Sequence, residues 1–174
     1  KRVVDASRKK LKNEANIDSL TQIFNRRYFD ETLHREIMRD ARYGHSLSLL
    51  LLDIDHFKHI NDEFGHQQGD IAIQALGDIL MHTFRESDII ARLGGDEFVV
   101  LLNDLQSSED AAQVARKVLE SLAEPLRIDT HDVYITASAG ISLYPDDAED
   151  AKGIFKNADT AMYRAKALGA GRYA

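Results

Sequence analysis

Two apolar segments joined by a pair of glycines constrain the fold of this chain most strongly. Residues 89–93 and 98–102 are rich in Ile, Val and Leu, and Gly94 and Gly95 lie between them. Strand-like segments separated by a Gly-Gly pair predict a β-hairpin. Asp96 and Glu97 follow the glycines directly. Glycines let a bulky anion approach the backbone, and adjacent carboxylates can hold a divalent cation beside it. A solvated Gly-Asp turn is the plainer alternative.

Composition narrows the class of protein. The 174 residues fit one domain, and the net charge of -7 argues against a surface that follows nucleic-acid phosphates. There is no cysteine, which excludes disulfides and thiolate chemistry and fits a reducing compartment. The longest apolar run, residues 47–52, is too short to span a bilayer. We therefore expect no nucleic-acid partner and no membrane contact from this segment.

The beginning of the chain predicts a connection to another domain. Residues 1–17 are basic and rich in helix formers, with a thin apolar stripe at Val4, Leu11 and Ala15. This pattern predicts an N-terminal connecting helix that arrives from an upstream sensory domain. The chain opens at Lys1 without a methionine or a signal peptide, which adds to the expectation of a longer protein. The domain itself is expected to span residues 18–174.

Periodicity predicts an alternation of helices and strands. A helix capped by Asp18 or Ser19 should run toward Gly44, and residues 46–54 should form a strand that is buried on both faces. Further helices are predicted at 70–84, 108–122 and 151–167, and one or two strands within 126–144. This order predicts an α+β fold: a central mixed, mostly antiparallel sheet flanked by helices that pack mainly on one face.

A second acidic patch follows the buried strand. Asp53 and Asp55 stand where that strand runs into a loop. If the strand lies beside the hairpin, Asp53 meets Asp96 and Glu97, and three carboxylates from two elements form a two-cation site. A strand-terminal Asp that starts a turn is the structural alternative for Asp53.

The loop expected after the strand carries a pair with guanine-binding chemistry. A carboxylate such as Asp70 accepts from the guanine N1–H and exocyclic amine, and an Asn61 amide can donate to O6 or N7. A turn role for Asn61 and a helix N-cap role for Asp70 are equally open at this point.

Several motifs then occur together in one order and spacing, and on them the chain resembles the GGDEF family over residues 18–172. The motifs are Asp18-Ser19-Leu20-Thr21, Asn25-Arg26-Arg27, Asp53 to Lys58, Asn61-Asp62, Phe64-Gly65-His66, Gly69-Asp70, Gly94 to Phe98 and Ala161 to Lys166. Members of this family are diguanylate cyclases, which join two GTP molecules into cyclic di-GMP and release two pyrophosphates.

The resemblance implies roles for particular residues. Asp53, the backbone carbonyl of Ile54, Asp96 and Glu97 would hold two Mg²⁺ or Mn²⁺ ions, and Asp96 would take the proton from the attacking 3′-hydroxyl. The substrate would be bound through guanine contacts and triphosphate contacts: Asn61, Asp70 and Leu20 for the base, and Phe57, Lys58 and Lys166 for the phosphates. Two domains would face each other as a homodimer, each with one GTP.

The resemblance also implies an inhibitory product site. Arg85 and Asp88 stand in the Arg-x-x-Asp arrangement that binds cyclic di-GMP in the family, and Arg116 falls where the family often has a second arginine. Seen alone, the pair would be a surface ion pair at a helix end. One position departs from the family pattern: Ala170 replaces a basic residue, with Arg172 two residues later.

Three functions remain open from the sequence. The leading one is a cytoplasmic diguanylate cyclase. A non-catalytic module that binds GTP or cyclic di-GMP as a sensor is the first alternative, and retention of both signature carboxylates favours the enzyme over it. A single-metal cyclase that acts within one nucleotide is the weaker alternative.

Overall fold

The computed structural model describes residues 15–105, 107–128 and 130–174. Their secondary structure comprises seven strands and five helices. In chain order they are β1 (Phe24–Asn25), α1 (Arg26–Tyr43), β2 (Leu47–Ile54), α2 (Phe57–Phe64), α3 (His66–Thr83), β3 (Ile89–Gly94), β4 (Glu97–Asn103), α4 (Ser108–Ser121), β5 (Leu126–Ile128), β6 (His131–Val133), β7 (Ala137–Tyr144) and α5 (Ala151–Ala167).

Five strands form the central sheet in the order β1-β3-β4-β2-β7. The β1–β3 pair is parallel and the remaining pairs are antiparallel. Strands β5 and β6 form a separate two-stranded hairpin. The α+β class and the mostly antiparallel central sheet are therefore confirmed.

Helices cover both faces of the sheet, so the prediction of helices mainly on one face is wrong. The residues of β2 alternate between two apolar clusters: Leu50, Leu52 and Ile54 pack with α3 and α4. Leu47, Leu49 and Leu51 pack with α1 and α5 on the other side. A strand whose successive side chains are all apolar must be covered on both faces, since those side chains point alternately up and down.

The first helix begins later than predicted. It starts at Arg26, and the Asn25 side chain caps it by accepting from the Tyr28 backbone N–H, whereas residues 18–23 form turns. Gly44 ends the helix as predicted. Most of the predicted connecting helix, residues 1–14, lies outside the described residues, and residues 15–17 form a turn and a β-bridge.

The segment between Asp53 and residue 70 is mostly helical, although a loop was predicted there. Helix α2 occupies residues 57–64, and Gly65 separates it from α3, which begins at His66. Asp70 therefore lies within α3, and the N-cap role that the sequence left open for it is wrong.

Helix α5 packs unusually close to β7 at Gly140. A Cβ at this position would overlap the Ala158 carbonyl oxygen and the Met162 amide nitrogen, and it would lie 2.9 Å from the Met162 Cα. The chain after α5 returns to the sheet, where Tyr173 bridges to Ala139. Among the helices of the described residues, none is long and apolar enough to cross a membrane.

Candidate active site

The register of β2 and β4 brings the two acidic patches together. Asp53 is the direct cross-strand partner of Glu97, and the Ile54 amide lies 3.4 Å from the Asp96 carbonyl oxygen. The β3–β4 turn that carries Asp96 depends on its glycines, because Gly94 and Gly95 have φ angles of 135° and 52°. Residues with a Cβ rarely adopt these angles. Asp53, Asp96 and Glu97 therefore lie together at the end of the sheet where β2 stops and β4 starts, which we call the carboxylate edge.

Lys166 supplies a positive charge to this edge. It lies in the last turn of α5, and its ammonium group forms an ion pair with Oδ2 of Asp53. The other oxygen of Asp53, Oδ1, is buried without a hydrogen-bond partner in the described residues. A buried carboxylate oxygen without a donor is costly, which indicates that this site is short of positive charge.

The Asp96 carboxyl group lies within hydrogen-bonding reach of Asp53. Burial and this neighbour raise the pKa of Asp96 to about 7. The positive charge of Lys166 lowers this pKa only weakly. Burial and the charge of Asp53 also raise the pKa of Glu97, while Arg26 and Lys166 oppose the shift. Two carboxylates that cannot both ionise easily are typical of a site that a cation would stabilise.

The donor set fits a divalent cation in part. Carboxylate oxygens are the ligands that Mg²⁺ prefers, and Asp53 Oδ1 offers one beside Asp96. Within the described ranges, however, no three His, Cys, Asp or Glu side chains converge closely enough to hold a metal ion. The geometry thus unites Asp53 and Asp96, and it links Glu97 to them through charge rather than through a shared ligand shell.

The predicted guanine pair lies on two packed helices. Asn61 is on α2 and partly buried, and Asp70 is exposed on α3. The Asn61 side chain lies directly against the backbone of Gly69, the residue before Asp70. Leu20 lies on the turn before β1, packs against the core beneath α3, and accepts a hydrogen bond from Gln74 of that helix at 3.2 Å. The three predicted base contacts thus border α3.

The predicted triphosphate contacts start directly after β2. His56 adopts a left-handed conformation, with φ of 54°, and turns the chain from the strand into α2. Phe57 begins α2 and is partly buried, and Lys58 follows it with its side chain exposed. Lys58 and Lys166 therefore come from different elements.

Asp55 is a structural residue whose role the sequence did not disclose. Its buried carboxylate accepts from the hydroxyls of Thr136 and Ser138, at 2.7 and 2.6 Å, and from the Gly171 amide at 2.8 Å. These bonds join the end of β2 to the start of β7 and to the chain that follows α5. An alternating Asp53-Ile54-Asp55 sequence was the only available signal, because strand alternation directs both carboxylates to the same face.

A second ion pair, between Arg92 and Asp18, stabilises the turn at Gly94 and Gly95. Arg92 donates to the Gly95 carbonyl at 2.9 Å and to both carboxylate oxygens of Asp18 at 3.1 and 3.2 Å. Burial opposes ionisation of Asp18, but hydrogen bonds from Thr21 and Arg92 outweigh it and lower the pKa. Asp18, predicted as a helix cap, therefore anchors the turn at residues 18–22 to the hairpin.

Arg85 and Asp88 lie close together in the loop between α3 and β3. The Arg85 amide donates to Asp88 Oδ2 at 3.0 Å, and burial raises the pKa of Asp88 against the opposing effects of this bond and of the Arg85 charge. Both residues line two neighbouring cavities of about 590 Å³ each. One of these cavities is bordered by Lys117 and Asp104, and the other mainly by apolar side chains such as Met81 and Phe84.

Arg116 does not join Arg85 and Asp88 within one chain. Its guanidinium donates to the Tyr173 hydroxyl at 3.0 Å, and neither of the two cavities is bordered by Arg116. Helix α4 directs Gln113, Val114 and Lys117 to the cavity instead.

Known proteins share this sequence pattern. The family model described as "Diguanylate cyclase, GGDEF domain" matches residues 15–172. The diguanylate cyclase TpbB of Pseudomonas aeruginosa is 40% identical over 157 residues, which are 90% of this chain and 36% of that protein. The cyclic di-GMP phosphodiesterase NbdA of the same species is 36% identical over 95% of this chain and 21% of its own length. The chain thus spans about a fifth to a third of these relatives.

Solved structures share the fold. The GGDEF domain of TpbB superposes with a TM-score of 0.87 at 39% identity, covering 90% of this chain and 91% of that one. The coiled coil and GGDEF domain of DgcB from Caulobacter crescentus, solved in complex with c-di-GMP, gives a TM-score of 0.89 at 27% identity and covers 98% of this chain and 91% of that one.

A mostly antiparallel sheet flanked by helices, with paired acidic residues at the end of its central strands, defines the class, an α+β domain. Within that class, the chain belongs to the GGDEF domain family. Members of this family act in cyclic di-GMP signalling, and its diguanylate cyclases use divalent metal ions.

Proposed function

We propose that this domain is a diguanylate cyclase. Each of two GTP molecules uses its 3′-oxygen to attack the α-phosphorus of the other, and each α–β phosphoanhydride bond breaks. Two pyrophosphates leave and one cyclic di-GMP forms. The observation that carries the proposal is the convergence of Asp53, Asp96 and Lys166 at the rim of the sheet.

Asp53, Asp96 and the Ile54 carbonyl would hold the Mg²⁺ or Mn²⁺ ions, two per active site, and Glu97, opposite Asp53 in the strand pair, would join them when the ions bind. Bound divalent cations supply charge neutralisation for the triphosphate and the departing pyrophosphate. The buried Asp53 Oδ1, which has no hydrogen-bond partner among the described residues, and the raised Asp96 pKa support this assignment, because both indicate a local excess of negative charge.

Asp96 takes the proton from the attacking hydroxyl in this proposal. Without a bound cation, burial and the neighbouring Asp53 raise the pKa of Asp96 to about 7. A cation at the site would lower this pKa, so that Asp96 is ionised at working pH and can accept the proton. Glu97 lies at the same carboxylate edge, directly opposite Asp53, where it would help to hold the cations.

Substrate binding divides between base and phosphate contacts. Asn61 donates to the guanine O6 or N7, Asp70 accepts from the guanine N–H groups, and Leu20 contacts the base. Lys58 and Lys166 neutralise the triphosphate beside Phe57. The Lys166 ammonium group is held at Asp53, and so it already lies at the end of the sheet where the triphosphate would bind.

Catalysis requires two copies of the domain, since each binds one GTP and contributes one nucleophile. The initial rate should therefore rise more steeply than linearly with protein concentration where the copies are mostly separate. The matched relatives extend well beyond this domain, and we propose that a sensory domain upstream of residue 18 aligns the two copies.

Product inhibition is proposed at Arg85 and Asp88. An arginine and a carboxylate can bind a guanine base through its two edges, and the cavities beside them are large enough for a nucleotide base. Arg116 completes this site once it leaves Tyr173 or when it comes from the second copy.

One observation favours a second candidate, a non-catalytic sensor of cyclic di-GMP or GTP. The cavities beside Arg85 and Asp88 lie apart from the carboxylate edge, so a ligand could bind there without any turnover at Asp96.

The product formed from GTP tests these alternatives. The protein is incubated with GTP and Mg²⁺, and nucleotides are separated by chromatography. Cyclic di-GMP with two pyrophosphates for each molecule supports the cyclase. Bound GTP without turnover supports the sensor, and cyclic GMP supports a cyclase that acts within one nucleotide.

A further inference from the structure

Helices α2 and α3 pack closely at Gly69, where the Asn61 side chain occupies the position of a Cβ. Gly69 is buried, and a Cβ at this position would overlap Oδ1 of Asn61. The same Cβ would lie 3.0 Å from Asn61 Cγ and 3.2 Å from Cζ of Phe57. The Asn61 side chain therefore fills the volume that any side chain at residue 69 would need.

The residues around Gly69 are those assigned to the substrate. Asn61 and Asp70 are the proposed guanine contacts, and Phe57 adjoins the proposed triphosphate site. Asp70 follows Gly69 directly in α3, so the contact between Gly69 and Asn61 sets how far apart the two base contacts stand.

We propose that Gly69 is a positioning residue for guanine selection, acting through the orientation of Asn61. This inference rests on the proposed function, because it assigns a determinant of specificity to the same nucleotide site. A methyl group at residue 69 forces the Asn61 amide away from its observed position and leaves the guanine without that donor.

If Gly69 served only to let the two helices pack, Gly69→Ala would destabilise the protein and leave base discrimination unchanged. The atoms that obstruct a Cβ at residue 69 are side-chain ends, which can turn aside without moving either helix. Alanine also favours the helical conformation more than glycine does. Gly69→Ala should therefore remain folded while it loses base discrimination.

Gly77 offers a matched control on the same helix. It is also buried, and a Cβ there would lie 3.4 Å from Cβ and 3.5 Å from Cγ2 of Thr21, which is ordinary contact. Gly77→Ala thus makes the same chemical change in α3 without displacing a proposed base contact.

The experiment measures binding of nonhydrolysable GTP and ATP analogues, with Mg²⁺, to wild type, Gly69→Ala, Gly77→Ala, Asn61→Ala and the Asn61→Ala/Gly69→Ala double variant. Turnover of GTP gives KM and kcat for the same proteins. We expect Gly69→Ala to weaken the GTP analogue about tenfold, the effect of one lost hydrogen bond, and to leave the ATP analogue unchanged. Gly77→Ala should match wild type.

The double variant tests whether Gly69 acts through Asn61. Removal of the Asn61 side chain takes away the two nearest obstructing atoms and leaves Cζ of Phe57 at 3.2 Å from the methyl group, so the second substitution should change GTP-analogue affinity less than about twofold. Should Gly69→Ala fail to fold, the double variant should fold again, and a double variant that also fails to fold would overturn the inference.

Failure of the proposed Gly69 role and failure of the proposed diguanylate cyclase function give different results. Wild type that binds both analogues equally contradicts the proposed function. Wild type that prefers GTP, with that preference intact in a folded Gly69→Ala variant, overturns the positioning role alone.

Discussion

Lys166 forms an ion pair with Asp53 although 113 residues separate them in the chain. The lysine comes from the last turn of α5 and the aspartate from the end of β2, so the packing of α5 on β7 brings them together. In the absence of a cation, the ammonium group provides positive charge to a carboxylate edge that otherwise carries too little. We infer that binding of a cation with nucleotide releases Lys166 toward the phosphates.

Asp53→Asn should abolish turnover while the protein stays folded. The substitution removes one charge at the proposed cation site, and losing a group that stabilises transition-state charge costs roughly a hundredfold to a thousandfold in kcat. The measurement is cyclic di-GMP production under saturating GTP and Mg²⁺. Asp30→Asn, at an exposed position on α1, is the control and should retain wild-type activity. Normal activity in Asp53→Asn would remove this residue from the site.

Asp96 should make the stability of the metal-free protein depend on pH. Its ordinary pKa is 3.8, and in the fold it rises to about 7. Between these values the folded state keeps a proton that the unfolded state has lost, so the stabilisation is present at low pH and is lost as the pH rises toward 7. Melting temperatures of wild type and Asp96→Asn are measured in chelator from pH 4 to 8. The melting temperature of the variant should increase relative to that of wild type as the pH rises.

Addition of Mg²⁺ provides the check on this pH effect. A cation that binds only the folded state raises its stability, and at pH 8 it should narrow the difference between wild type and Asp96→Asn. A difference that is constant across the pH range would contradict the assigned pKa of Asp96.

Arg85→Ala should weaken product inhibition without lowering the initial rate. Arg85 lines both cavities but lies apart from the carboxylate edge. Loss of a charged hydrogen-bond donor to the ligand should raise the inhibition constant of cyclic di-GMP at least about tenfold. Progress curves with added cyclic di-GMP measure it. Arg127→Ala removes a similar side chain from an exposed ion pair with Asp132 and should behave as wild type. Unaltered inhibition in Arg85→Ala would refute the product site.

Gly140→Ala should destabilise the fold by about 1–3 kcal/mol, the usual cost of overpacking. The atoms that a Cβ would meet belong to the α5 backbone and cannot turn aside. Ser142→Ala, on the same strand, removes a buried hydroxyl that has no hydrogen-bond partner in the part of the chain that the structure describes, and it should be neutral or stabilising. Denaturant unfolding of both variants measures the contrast, and equal stability of Gly140→Ala and wild type would contradict the close packing.

The sequence predicted the parts of the fold that depend on local patterns. The β3–β4 hairpin and strand β2 follow from runs of apolar residues bounded by glycine or a polar turn, and helix α5 follows from apolar residues at helical spacing. Helix α2 was missed because its eight residues carry only a short apolar stripe and follow directly from a strand. The start of α1 was misplaced because Asp18 resembles a cap, whereas its carboxylate is engaged by Arg92 from the hairpin.

The residue types at the candidate site could be predicted from the sequence, but the contacts between those residues could not. Asp53, Asp96 and Asn61 stand out by type and position, and the family resemblance adds Lys166. The steric roles of Gly69 and Gly140 depend on how closely two elements approach, which a single sequence does not disclose. The same holds for Arg116, which the structure directs to Tyr173.

The most direct test of the central claim is a crystal structure of the protein with Mn²⁺ and a nonhydrolysable GTP analogue, with anomalous data to locate the metal. We expect Mn²⁺ bound by Asp53 and Asp96 oxygens beside the triphosphate, with the Lys166 ammonium group moved from Asp53 to a phosphate. A complex in which the analogue is bound, no anomalous peak lies at these carboxylates and Lys166 still contacts Asp53 would contradict it.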